Sequence, residues 1–175
     1  MDAFEYAVNQ TLSFEGIYSN NPDDRGGETK YGITKAEFER ALEKCIISGV
    51  SDIKDLTVVQ AKAIYKINYW FSIRLNEVDS YLIASEMFDT GVNMGTGTAV
   101  KVAQEALNFL GEKLEVDGKI GPKTIEAINK WCKKDERALF VALNGEQYIR
   151  YKNNPQIIFH RGWTKRIQSY KEKEV

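Results

Sequence analysis

Between Glu15 and Thr34 the sequence EGIYSNNPDDRGGETKYGIT breaks a chain otherwise written in helical periods. Before it, Phe4, Ala7, Val8 and Leu12 recur at the spacing of one helix face, which puts Glu15 at the C-terminal end of an amphipathic helix. After it, Thr34 with Glu37 makes a capping box. Phe38, Ala41, Leu42, Cys45 and Ile46 then extend a helix that Gly49 is expected to end. The interruption collects Asn20, Asn21, Pro22, Asp23, Asp24, Gly26 and Gly27, residues that accept positive φ or fix φ and so make turns. A short hairpin fits there, with Glu28 to Ile33 as a strand. The chain is therefore expected to be mainly α, with one small β or irregular excursion.

The remaining helices follow from caps and stripes. Thr57 with Gln60 starts one that carries Val59, Ala63, Ile67, Trp70 and Phe71 on a single face, and its aromatic end is either core or a sugar platform. Ser80 caps the next, with Ala84, Phe88, Gly91 and Val92 turned inward. Asp89 and Asn93 share a face one turn apart, placed either to bond sugar hydroxyls or to fix the helix by hydrogen bonds. Gly95, Thr96 and Gly97 form a break, after which Thr98 starts a helix bearing Ala99, Val102, Ala103, Ala106, Leu107 and Leu110. Val100 stands where a dinucleotide fingerprint needs its third Gly, so that reading fails. Asp117-Gly118 is a tight turn. Gly121 and Pro122 open a helix with Ile125, Ile128 and Cys132 as its stripe, and Asp135 caps another with Leu139, Ala142, Leu143 and Gln147. An EF-hand register on Gly118 would put Lys113 and Thr124 where calcium needs carboxylates, which excludes it.

Composition removes several functions. With 24 Lys and Arg against 25 Asp and Glu, the net charge of −1 gives no global field for nucleic acid. From Asn144 to Val175, seven Lys or Arg stand against three Glu, a solvated basic face or an affinity for anionic wall or membrane surfaces. Cys45 and Cys132 lack metal-motif spacing and sit at apolar helical positions, so core thiols and no disulfide are expected. One histidine, His160, leaves nothing from which to build a zinc site. No apolar run reaches the roughly 20 residues of a membrane span, and the N-terminus lacks a signal-peptide core. Synthesis in the cytoplasm and no stable membrane insertion are expected.

The chemistry concentrates on two carboxyls. Glu15 faces the negative end of a helix dipole beside Phe14, Ile17 and Tyr18, which favours the neutral form that a general acid needs. Asp24, nine residues on in a polar turn, is placed to stay ionised, and two carboxyls in contrasting environments suit glycoside hydrolysis. The run Glu15, Gly16, Tyr18, Asp24, Gly26, Gly27, Thr29, Tyr31, Gly32, Ile33 and Thr34 resembles the signature of glycoside hydrolase family 108, the N-acetylmuramidases that include phage endolysins. The resemblance implies a lysozyme-like fold with the acid of the family's E-G-G-Y motif on Glu15. Ile17 replaces the second Gly of that motif. The order of Glu, Asp and Thr also resembles single-domain phage lysozymes, which implies that Asp24 and Thr29 position the attacking water. The stretch from Phe88 to Gly95 resembles the family's F-D-x-x-V-N-x-G, adding Asp89 and Asn93 to Tyr18 and Tyr31 as candidate substrate-binding residues.

Gln104, Leu107, Asp117, Gly118, Gly121, Pro122 and Thr124 resemble the small helical peptidoglycan-binding domain that accompanies these enzymes. Phe159, Gly162, Trp163 and Arg166 match its closing F-x-x-G-W-x-x-R. The resemblance thus implies a catalytic domain over residues 1–96 and a wall-binding helical bundle over 97–175. The expected activity is cleavage of the β-1,4 bond between N-acetylmuramic acid and N-acetylglucosamine. The chain would act as a monomer on peptidoglycan glycan strands without a cofactor, reaching the wall through a holin-type lesion or another release route. A lytic transglycosylase and a non-catalytic wall-binding or secretion-assisting protein are the alternatives, the latter resting on Ile17.

Overall fold

The computed structural model describes residues 2–14, 18–20 and 27–153. It divides into two compact units, Met1–Ser72 and Ile73–Val175. The fold is mainly α-helical with one small sheet, as the sequence leads one to expect.

The first unit runs α1 (Ala3–Phe14), β1 (Tyr18–Asn20), β2 (Glu28–Lys30), β3 (Ile33–Thr34), α2 (Lys35–Glu43), a 3-10 turn (Ile53–Asp55), α3 (Val58–Tyr65) and a π-helical turn (Lys66–Phe71). The expected Glu28–Ile33 strand is instead two strands about a tight turn, because Tyr31 and Gly32 both take positive φ, 53° and 76°. That pair is the two-residue hairpin turn whose twist matches the strands. Both threonine boxes form: Glu37 N donates to Thr34 Oγ1 at 3.3 Å, and Gln60 N to Thr57 Oγ1 at 3.2 Å. Phe4, Ala7, Val8, Ile33, Phe38, Ala41, Ile53, Ile64 and Trp70 are buried together in this unit. A fully buried large apolar side chain is worth roughly 1.5–3 kcal/mol. The Phe4 and Trp70 rings meet edge-on at 5.6 Å.

Two readings of this unit change. α2 stops at Glu43, short of Gly49: Cys45 N donates to Leu42 O and Ile46 N to Ala41 O, a Schellman closure with Cys45 at φ 54°. Cys45 is consequently exposed and not a core thiol. The α3 face is also different. Ala61, Ile64 and Tyr65 are buried, whereas Val59, Ile67 and Phe71 are 77%, 47% and 44% exposed. A regular 3.6 period assigned to the whole stretch cannot hold through Lys66–Phe71. The wider π turn instead brings Trp70 inward, five residues after Tyr65.

The second unit contains a 3-10 turn (Leu75–Glu77), α4 (Tyr81–Met94), α5 (Thr96–Phe109) and α6 (Pro122–Asn153). Ile83 N donates to the Ser80 hydroxyl at 3.2 Å to cap α4. Gly95, at φ 88°, is the whole of the break, so α5 starts at Thr96 and not Thr98. α4 packs on both α5 and α6, and residues Leu82 to Gly91 are buried all round. Gly91 is in ordinary contact range of Ala99, since a Cβ there would lie 3.7 Å from that methyl. Asp135 leaves helical geometry (φ −163°, ψ 84°) inside α6, and its Oδ1 accepts from Ala138 N at 2.9 Å. It kinks α6 and caps the half that buries Leu139, Leu143 and Gln147. In the first half Ile125 and Ile128 are buried with Trp131, while Cys132 is only partly covered. Phe159, His160, Gly162, Trp163 and Arg166 lie outside the described residues.

The loop between α5 and α6 is held by one side chain. Gln104 is 2% exposed. It donates to Asp117 Oδ1 and Lys119 O, and accepts from Gly118 N at 2.9 Å. Gly118 has φ +74°, and a Cβ there would lie 3.0 Å from Gly97 O and 3.1 Å from Lys101 Cε. The lysine can swing away but the carbonyl cannot. Gly118→Ala is expected to cost about 1–2 kcal/mol from left-handed backbone alone, with more from the contact. The expected reading is a lower midpoint of thermal unfolding, and an unchanged midpoint would refute this account of the turn.

Candidate active site

Glu15 and Asp24 lie outside the described residues, as do Gly16, Ile17 and the rest of 21–26. The described residues give the frame on either side of them. In chain order α1 ends at Phe14 and β1 begins at Tyr18, while β1 ends at Asn20 and β2 begins at Glu28.

That frame is tied down at several points. β1 and β2 pair antiparallel, Tyr18 opposite Lys30 and Ser19 opposite Thr29, and β2 pairs with β3, Thr29 opposite Thr34. Thr29 is thus the central residue of the central strand. The Tyr65 hydroxyl donates to Tyr31 O at 2.9 Å, fixing the turn to α3, and Lys30 Nζ donates to Lys54 O. Lys30 Nζ also lies 5.6 Å from the centre of the Tyr31 ring. Tyr18 and Thr29 therefore share one anchored sheet, with Tyr31 in the turn that joins its second and third strands. The exposed Tyr18 ring offers an apolar face of the kind that stacks on sugars, with its hydroxyl donating to Glu28 Oε1 at 2.9 Å.

Glu28 also accepts from Lys35 Nζ at 3.2 Å. Its pKa is lowered, first by the Tyr18 hydrogen bond; desolvation comes next and opposes it, and Lys35 then adds to the lowering. The same contact raises the Tyr18 pKa, after desolvation. Glu28 is thus an ionised carboxylate committed to structural partners. Tyr69 donates to Glu37 Oε1, and its pKa is raised by burial first and by that bond second.

Asp89 and Asn93 belong to the second unit and meet each other on α4. Asn93 Nδ2 donates to Asp89 Oδ2 at 3.1 Å and to Asp89 O at 3.0 Å. One turn earlier stands Glu86, which the sequence reading passed over. It is 1% exposed, and among the described residues neither carboxyl oxygen has a partner at hydrogen-bonding geometry. Its pKa is raised to about 8, by burial first and by Asp89 second, with the nearby Asn144 amide acting in the opposite direction. The available signal was its spacing. Glu86 precedes Asp89 by three residues and Thr90 by four, so it belongs to a polar stripe of α4 that is buried with the rest of the helix. Among the described residues no group of His, Cys, Asp and Glu is arranged to hold a metal, and no described helix is long and apolar enough to cross a membrane.

Comparison with known families decides the affiliation. The family model for glycosyl hydrolase 108 matches residues 8–95, a stretch that includes the whole Glu15–Thr34 motif together with Asp89 and Asn93. The chain belongs to the glycosyl hydrolase 108 family. A second model, described as "Predicted Peptidoglycan domain", matches residues 98–168. Together the two matches support a peptidoglycan hydrolase. The chain is similar to the solved structure of Brucella abortus SagA, with a TM-score of 0.76 and 28% identity, over 94% of this chain and 88% of that one. No curated protein matches. The two family matches meet just after α4, whereas the compact units divide before it, at Ser72 and Ile73. α4 therefore carries sequence of the hydrolase family while packing on the helices of the peptidoglycan match.

Proposed function

We propose that this glycosyl hydrolase 108 chain is an N-acetylmuramidase that hydrolyses the β-1,4 bond between N-acetylmuramic acid and N-acetylglucosamine. Glu15 protonates the glycosidic oxygen, and Asp24 with Thr29 orients water or stabilises the oxocarbenium-like state. Tyr18, Tyr31, Asp89 and Asn93 contact the sugars. Residues 1–96 carry catalysis, and residues 97–175 bind the wall as part of a monomer acting on glycan strands. The observation that carries this reading is the family match over residues 8–95, which holds both carboxyls and the threonine in one motif. The anchored sheet supports it physically, since a site built on paired strands keeps Thr29 in place at no further entropic cost.

Mass spectrometry of digested sacculi tests the bond and the chemistry together. Hydrolysis at this bond leaves reducing N-acetylmuramic acid ends. Anhydro ends would mean a transglycosylase, reducing N-acetylglucosamine would mean the other glycosidic bond, and undigested wall would mean a binding protein.

A further inference from the structure

A groove of about 600 Å³ opens at the start of α6, within the second unit. That volume is in the range of pockets that hold a small ligand. Its wall is the turn locked by Gln104, so it is rigid before anything binds. Lys113, Lys119 and Lys123 line it, and none of the three forms an ion pair with a described residue. Thr124 lines it too. That residue is 4% exposed, and its hydroxyl has no hydrogen-bond partner among the described residues. The N-terminus of α6 adds the positive end of its dipole.

The opposing charges are two. Asp117 is already committed, its Oδ1 accepting from Gln104 Nε2 and from Lys119 N at 2.9 Å each, and these bonds hold its pKa down. Glu115 is exposed at the edge. The groups left to recognise a ligand are thus ammonium donors, a hydroxyl and a helix N-terminus, all of which suit an acceptor-only anion. We propose that this groove binds a carboxylate of the peptidoglycan stem peptides, an inference that rests on reading residues 97–175 as wall-binding.

The test uses the full chain and purified sacculi stripped of phosphate-bearing polymers, sedimented cold and briefly so that the wall stays intact. The double charge reversal Lys119→Glu with Lys123→Glu should weaken retention about tenfold, the loss of one charge-assisted contact. Thr124→Val, which keeps the shape, should weaken it by a smaller factor, and Lys44→Glu at the exposed end of α2, outside residues 97–175, should leave it unchanged. Sacculi whose stems have been removed by an amidase should hold the wild type as weakly as the double variant, which should lose nothing more on them. Wild-type retention by folded double and Thr124→Val variants would overturn the groove while leaving wall binding intact. An equal loss in Lys44→Glu, or a loss that persists on stem-free glycan, would overturn the carboxylate assignment. No retention of the wild type would remove the wall-binding reading itself.

Discussion

Glu15→Gln is expected to reduce digestion of sacculi by about 100-fold to 10,000-fold, the usual worth of a positioned general acid. The amide keeps the size and the hydrogen-bonding reach of the side chain but has no proton to give the leaving oxygen. The wild-type protein and the variant should therefore sediment with sacculi equally well, because residues 97–175 are left intact. Asp24→Asn provides the comparison. On the proposed mechanism it removes a charge near the reacting centre without touching the acid, so its loss should be substantial yet fall on the same reducing-end product. A folded Glu15→Gln protein that digests sacculi at close to the wild-type rate would take the acid's role away from Glu15. Glu28 would not be the natural replacement, since its carboxylate is already bound by Tyr18 and Lys35 and kept ionised. Asp23 would be the next residue to test.

What the sequence reveals about this fold divides by range. The caps at Thr34, Thr57, Ser80 and Asp135 are legible because each is decided within three or four residues, by one side-chain oxygen and one nearby N–H. The Asp117-Gly118 turn is legible for the same reason, although the Gln104 side chain that locks it comes from another helix. The end of α2 is not. A Schellman closure prefers Gly at the left-handed position, and Cys45 occupies it here although Gly49 lies four residues on, so propensity points to the wrong terminator. The faces of α3 fail for a related reason. One π turn moves every later residue round the axis, and it leaves no mark in an apolar sequence. The family affiliation is legible as a motif, because Glu15 to Thr34 is a long and specific run, but the burial of Glu86 is not, since no motif calls for it and only the packing of α5 and α6 covers the polar stripe of α4.

Glu86 leads to the second large effect, which is on stability. Its folded pKa of about 8 stands above the ordinary 4.5, so the folded chain holds a proton that the unfolded chain has released. Below about pH 4.5 both states are protonated and the group has no influence on the pH dependence. Between 4.5 and 8 the unfolded state binds fewer protons, and stability must fall as pH rises, by about 1.4 kcal/mol per unit. Above 8 both states are ionised and the slope from this group ends, with the full penalty in place. Its burial at 1% exposure, with no partner at hydrogen-bonding geometry among the described residues and only the nearby Asn144 amide to offset it, is what makes the cost large. Glu86→Gln keeps the shape and the neutral polarity of the protonated acid but cannot ionise, so it should match the wild type near pH 4.5 and exceed it by several kcal/mol at pH 8. For a chain of this size that is a rise in unfolding midpoint of about 5 °C or more. The measurement is thermal unfolding of both proteins at pH 4.5, 6 and 8. Parallel curves, with the variant gaining nothing between 4.5 and 8, would show that Glu86 finds a stabilising partner for its charge in solution and that α4 does not bury an unpaired acid.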